Sequence, residues 1–244
     1  MALYALGDTH LSFSVGKPMD IFGNVWENHT EKLTLGLSTL KDDDMLVLCG
    51  DTSWALSFAE VREDFAFIDV FPGKKLLVKG NHDFWWTTAA KMRGFFAEQG
   101  FSSLDILHNN ARLYGEVALC GTRGWFYEED GRKRGGHDEK IFLRECQRLE
   151  ASLKEGLKLL GKPDTQPAPE MGERLLVFLH YPPLYEGYRC DEIVDILTRY
   201  GVKRCFYGHL HGVSHARAIE GDYRGVDYRL VSADYVGFKP VRVL

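Results

Sequence analysis

The chain has 244 residues, 45% hydrophobic and 13% aromatic, enough to bury a sizeable core in one large domain or one domain with an insertion. Its formal net charge of -5 gives no electrostatic pull toward nucleic acid or an anionic membrane, and no run of roughly 18 apolar residues is present to form a membrane-spanning helix. The five cysteines (Cys49, Cys120, Cys146, Cys190 and Cys205) are scattered and odd in number. Cys49 and Cys205 fall inside apolar runs, where a free thiol acts as a small hydrophobe. This is the usage expected of a reducing, cytoplasmic protein without disulfides.

Residues 3–6 read as a short strand that runs into Gly7-Asp8-Thr9-His10. With a functional group so close to the first core strand, a cleavable leader is not expected. A loop with Pro18 and Gly23 follows, and the spacing of Val25, Leu33, Leu37 and Leu40 predicts a helix over 25–40. Residues 45–49 are continuously apolar, as in a strand covered on both faces, and end at Gly50-Asp51. A helix is predicted over 54–70. A third strand over 76–78 leads to Gly80-Asn81-His82-Asp83, and a helix over 85–99 is stopped by Gly100. Such alternation of strand and helix is the mark of parallel α/β architecture.

The rhythm breaks after residue 103. A hairpin is predicted over 112–114 and 116–121. Residues 123–136 are polar and glycine-rich and read as a loop. A long amphipathic helix follows over 138–160, with Ile141, Cys146, Leu149, Leu153, Leu157 and Leu160 as its buried positions. Residues 161–173 carry three prolines and read as an exposed linker. Together 123–173 form an inserted, lid-like segment within a single domain spanning 1–244. The α/β rhythm then resumes with a strand over 175–179 ending at His180, a helix over 190–200, and a strand over 204–207 ending at Gly208-His209-Leu210-His211. The tail from Ala216 onward is expected to add antiparallel strands.

The five motifs thus lie at carboxyl ends of strands, where open α/β sheets bind ligands. Glycine precedes four of them (Gly7, Gly50, Gly80 and Gly208) and permits the sharp turn and close backbone approach that aim the next side chain at a shared centre. Asp and Asn supply oxygen and His supplies nitrogen, with no Cys in any motif. That donor set suits Mn²⁺, Fe, Co²⁺ or Zn²⁺ better than Ca²⁺ or Cu⁺.

In content and order (D-x-H, GD, GNH(D/E), H, GHxH, from residue 8 to residue 211) the motifs resemble the calcineurin-like metallophosphoesterase superfamily. The resemblance implies that family's four-layer α/β/β/α sandwich. It also implies two divalent transition metal ions per chain, with Mn²⁺ the first choice. The first ion would take Asp8, His10, Asp51 and His211, and the second Asp51, Asn81, His180 and His209. Asp51 would bridge the two at about 3.5–4 Å. A hydroxide between the metals would attack a phosphomonoester or phosphodiester, His82 would protonate the leaving group or stabilise the charge on the phosphoryl oxygen, and Asp83 could hold the His82 imidazole in the right tautomer. The substrate expected is a small phosphoester, without membrane or nucleic acid partners. A nuclease, or a non-catalytic scaffold for protein partners on the same fold, is the alternative, although such scaffolds have lost ligands that this chain keeps.

Around the motifs, Trp54, Phe84, Trp85 and Trp86 either line the pocket or pack the first turns of the helices they begin. Arg123, Tyr181 and Tyr185 are candidate substrate contacts. Arg132-Lys133-Arg134 reads either as a phosphate-facing lid or as a solvated loop. His29, His108, His137 and His215 are read as ordinary structural or exposed histidines.

Overall fold

In the computed structural model, residues 1–126, 136–162 and 167–244 are described. The elements in chain order are β1 (Leu3–Leu6), α1 (His29–Leu37), β2 (Met45–Cys49), α2 (Phe58–Asp69), β3 (Lys74–Val78), α3 (Ala89–Gln99), β4 (Leu104–Ile106), β5 (Asn110–Tyr114), β6 (Val117–Thr122), α4 (Gly136–Leu159), β7 (Leu175–Leu179), β8 (Leu184–Tyr185), β9 (Tyr188–Arg189), α5 (Asp191–Arg199), β10 (Arg204–Tyr207), β11 (Gly221–Tyr223), β12 (Val226–Leu230) and β13 (Val241–Arg242). They divide between two compact units. The first comprises Met1–Ile106, Gly208–His215 and Val231–Leu244, and the second Leu107–Tyr207 and Ala216–Leu230.

The first unit is built on a five-stranded sheet in the order β13-β1-β2-β3-β4. Strands β1 to β4 are parallel, with Leu3 opposite Met45 and Met45 opposite Lys74, and β13 is antiparallel to β1. The helices start where their caps allow. Asn28 adopts a left-handed conformation after a single 3-10 turn at Asn24–Trp26, so the predicted 25–40 helix shortens to α1. Ser57 accepts a hydrogen bond from the Glu60 amide and sets the start of α2. Thr88 does the same for α3, which Gly100 closes at φ 74°, a backbone turn that glycine adopts without strain. Leu33, Leu37, Val61, Phe65, Ile68, Met92 and Phe96 are buried from these three helices in one core with Leu6, Leu46 and Leu48 of the sheet. Trp85 stands edge-on to Phe65 at 4.9 Å within it, which makes this tryptophan a packing residue. Strand β4, three residues long, is too short to register as a periodic pattern.

The second unit has a six-stranded sheet in the order β11-β12-β10-β7-β6-β5, and β8 with β9 makes a small hairpin. Here the structure changes two expectations. Helix α4 packs on β5, β6 and β7 and against α5, with Leu149, Leu153 and Leu157 fully buried. It is a layer of this unit's core. Residues 127–135, which carry Arg132-Lys133-Arg134, and 163–166 of the 123–173 segment lie outside the described residues. The expected linker also ends in packed chain. Residues Pro169–Arg174 form 3-10 turns, and a Cβ at Gly172 would overlap the Gly201 carbonyl. In the tail, β11 and β13 are antiparallel as expected, but β12 joins β10 in parallel. The five cysteines are free, and among the described residues no helix is long and apolar enough to cross a membrane.

Candidate metal centre

Beyond the ends of β1 and β2 the backbones stay in register. The Asp8 amide donates to the Gly50 carbonyl at 2.9 Å, His10 to Asp51 at 3.0 Å and Leu11 to Thr52 at 3.0 Å. Four of the expected ligands themselves take left-handed backbone: Asp8 (φ 59°), His10 (46°), Asp51 (48°) and His209 (72°). Each such residue costs of order 1–3 kcal/mol and persists only where the surroundings impose it. The turning expected of the glycines is thus largely done by the ligands. Gly80 and Gly208 serve close approach instead, since a Cβ at Gly80 would overlap the Asp51 carboxylate and amide, and one at Gly208 the Asp8 carboxylate.

Asp8, His10 and His211 offer one ligand atom each within 4.8 Å of one another. The Asp8 carboxylate is oriented by the His209 amide at 3.0 Å and the Ser232 hydroxyl at 2.8 Å. His211 Nδ1 donates to Asp234 Oδ1 at 3.0 Å, and this leaves the Nε2 lone pair facing inward. His211 Nε2 lies 3.2 Å from His10 Nε2 and 3.4 Å from Asp8 Oδ1. Metal–imidazole bonds of about 2.0–2.1 Å put two adjacent ligands roughly 2.9–3.4 Å apart, so these two nitrogens stand as ligands of one ion do. Burial opposes a charge on His211, but the Asp8 and Asp234 carboxylates outweigh it and push the imidazole up to about 10. A proton therefore occupies this position when no metal does.

Asn81 and His209 also come together, with His209 Nδ1 3.0 Å from Asn81 Oδ1. Asp51 Oδ1 accepts the His82 amide at 2.7 Å, and Asp51 Oδ2 lies 3.9 Å from His10 Nε2. Burial and the Asp8 charge push the Asp51 carboxyl up to about 6, a strain that a cation between the two relieves. His82 keeps 36% of its side chain exposed and its Nε2 4.0 Å from Asp51 Oδ2, whereas Asp8, His10 and Asp51 are buried.

Matched against family models, residues 1–213 fit the calcineurin-like phosphoesterase model. The chain belongs to that family. As a calcineurin-like phosphoesterase it is a metal-dependent phosphoester hydrolase in general character, and its Asp and His cluster is a group that could hold a metal ion. No curated protein matches it. Among solved structures it is similar to AQ665, a protein of unknown function from Aquifex aeolicus. The identity is 17%, the TM-score 0.54, and 99% of this chain and 95% of that one are covered. TT1561 from Thermus thermophilus aligns at 12% identity and TM-score 0.46, over 88% of this chain and 85% of that one.

Asp83 has a different task from the one expected of it. Its carboxylate is buried and accepts four backbone amides, from Gly80 (2.7 Å), Thr52 (2.9 Å), Asp51 (3.0 Å) and Ser53 (3.4 Å). Burial and the charge of Asp51 raise its carboxyl while the amides pull it back toward ionisation; with four N–H groups donating to its two oxygens, the ionised form is the one this site is built to hold. Asp83 is thus a clamp between the loops after β2 and β3, and the described hydrogen bonds of its carboxylate go to main chain, none to the His82 ring.

The remaining expected residues lie in the second unit. His180 is buried at the end of β7, with its amide and that of Tyr181 on the Arg123 carbonyl at 3.2 and 3.0 Å. Tyr181 and Tyr185 are buried against Phe126, at 5.9 and 6.3 Å between ring centroids, and Arg217 lies over Tyr185. The Arg123 guanidinium sits 5.9 Å from the Trp125 ring.

Two sets of residues escaped sequence reasoning. Asp234 holds His211 and also lies 3.2 Å from His215 Nε2, which places His215 among the structural histidines expected. Ser232 orients Asp8. Both belong to an unremarkable Ser-Ala-Asp stretch whose only signal is its place just after an apolar run. Met19, Phe22 and Trp26, in the loop after the first motif, line a cavity with Trp54 beside His10, His82 and His211. No motif marks them.

Proposed function

We propose that the chain is a dinuclear-metal phosphohydrolase acting on small phosphomonoesters or phosphodiesters. The observation that supports this best is the convergence of His10 Nε2, His211 Nε2 and Asp8 Oδ1 on one point, next to an Asp51 carboxyl that burial leaves short of a cation. Divalent ions held there supply a hydroxide nucleophile near neutral pH and neutralise charge on the phosphoryl oxygens. The first ion takes Asp8, His10, Asp51 and His211. The second takes Asp51, Asn81 and His209, and His180 keeps its expected part by motif position alone. Asp and Asn oxygen with His nitrogen suits Mn²⁺, Fe, Zn²⁺ or Co²⁺, and Mn²⁺ is the first of these to be tested. His82, whose imidazole keeps access to solvent, donates a proton to the leaving oxygen.

The test is reconstitution. Metal-stripped protein is loaded separately with Mn²⁺, Zn²⁺, Co²⁺ and Fe²⁺, its metal content is measured, and hydrolysis of p-nitrophenyl phosphate and its bis-ester is followed. Two ions per chain and metal-dependent turnover are expected, with both lost in Asp51→Ala. Turnover in stripped protein, or two ions retained by Asp51→Ala, refutes the proposal.

A further inference from the structure

The Asp83 carboxylate faces main-chain amides, and a larger side chain lies against the His82 ring. Trp54, just after the second motif, has its ring centroid 4.2 Å from that of His82, with the planes at 46°. The same indole is stacked on His10 at 4.9 Å, planes at 24°, and the two imidazoles are 5.8 Å apart. Trp54 therefore touches an expected metal ligand and the expected proton donor at once. It is itself held by the loop after the first motif. Its amide donates to the Leu11 carbonyl at 2.9 Å. Its indole N–H donates to Met19 Sδ at 3.1 Å, and the Lys17 ammonium sits 3.0 Å over its ring. Lys17 is placed in turn by Ser12, whose hydroxyl donates to the Lys17 carbonyl at 2.7 Å. All of these residues belong to the first unit.

These contacts differ from those of a packing tryptophan. Trp85 is buried against Phe65 in the core, whereas Trp54 is only partly buried at the edge of that core. Its neighbours are two imidazoles, an ammonium and a thioether, so its ring is a wall for them and not a surface left open to a ligand. His82 is a residue that needs such a wall. Its amide is fixed on Asp51 Oδ1 at 2.7 Å, but 36% of its side chain is exposed, and the χ2 torsion of a histidine is intrinsically broad. A proton donor must come within about 2.6–3.2 Å of the leaving oxygen, and misplacement by about 1 Å costs about 10²-fold in rate. We infer that Trp54 is a positioning residue: it restricts the His82 imidazole to the orientation that meets the leaving oxygen, and Lys17 and Met19 fix Trp54. The inference rests on the proton-donating part proposed above for His82.

The test uses metal-loaded full-length protein. Trp54→Leu, Trp54→Phe and Lys17→Met are made alone and in the His82→Ala background. Values of kcat, KM and metal content are measured with p-nitrophenyl phosphate and with phenyl phosphate, whose leaving group is less acidic. Trp54→Leu should keep the metal content of the parent, hold KM within about twofold and lower kcat for phenyl phosphate by about 10- to 100-fold. The loss should be smaller for p-nitrophenyl phosphate. Trp54→Phe keeps a flat ring beside His82 and should recover most of that loss. Lys17→Met removes the cation alone and should lower kcat about two- to fivefold. In the His82→Ala background each of these losses should vanish, because the group being positioned is gone. Losses that persist in that background overturn the inference. So does a Trp54→Leu variant that loses metal, which makes the indole a support for His10. Where Trp54→Leu does not fold, Lys17→Met decides: a kcat loss that vanishes with His82 supports the inference, and parent kinetics overturn it. Metal-dependent hydrolysis that is indifferent to His82→Ala sinks His82 as proton donor and Trp54 with it. Absence of metal-dependent hydrolysis sinks the hydrolase itself.

Discussion

Asp83→Asn distinguishes a clamp from a partner of His82. The native carboxylate takes Gly80 and Asp51 on one oxygen and Thr52 and Ser53 on the other. Asparagine keeps a single acceptor oxygen, so whichever way the amide turns, two buried backbone donors face an NH₂ group. Hydrogen bonds to a charged group contribute about 1.5–3 kcal/mol each, and a buried donor left unsatisfied costs about 1–3 kcal/mol. With one of the four bonds long at 3.4 Å, the expected loss is about 3–5 kcal/mol. For a chain of this length each kcal/mol moves Tm by roughly 2–4 °C, which predicts a fall of roughly 6–20 °C in a thermal melt of metal-free protein. Because the Asp51 amide is one of the clamped donors, metal affinity should also drop, by about 10- to 100-fold in a competition titration, the range for groups that orient ligands. A variant that melts within 2 °C of the parent, binds metal normally and loses only kcat refutes the clamp and returns Asp83 to the tautomer-holding part expected from the sequence.

Asp234→Ala removes the acceptor shared by His211 and His215, so metal affinity should fall by about 10- to 100-fold; unchanged affinity by the same competition titration shows that His211 is oriented without it. His82→Ala should leave metal content intact and lower kcat by about 10²–10⁴. The loss should shrink for esters with acidic leaving groups, and loss of metal instead makes His82 a ligand. Lys75 is buried, and burial, partly opposed by Asp69, pushes its ammonium down to about 8 from 10.5. Between these two values the unfolded chain binds more protons than the folded one, so stability rises with pH across that window and the full penalty is present below it. Denaturant midpoints of Lys75→Met should lack this rise relative to the parent, and curves that stay parallel from pH 8 to 10.5 contradict the assignment.

The residues that could form a metal centre were legible in the sequence because their signals are local. An apolar run followed by Gly-Asp or Gly-Asn-His is a strand followed by a turn, and a handful of residues is enough to show it. Helix periodicity likewise marked the buried leucines of α4, but an amphipathic face does not say what it faces, and only packing on β5, β6 and β7 made the helix part of a core. What escaped were pairings between distant stretches of chain. Ser232 reaches Asp8 from 224 positions away, Asp234 finds His211 through the register of the returning chain, and Asp83 meets amides about 30 residues before it. Left-handed backbone at Asp8, His10, Asp51 and His209 was equally hidden, because the surrounding hydrogen bonds impose it against the residues' own preference. The cavity beside the imidazoles depends on Met19, Phe22 and Trp26 folding back beside Trp54. Local propensity chooses strand, helix and turn, whereas the partner of each side chain is chosen by which loops the sheet brings to the same edge.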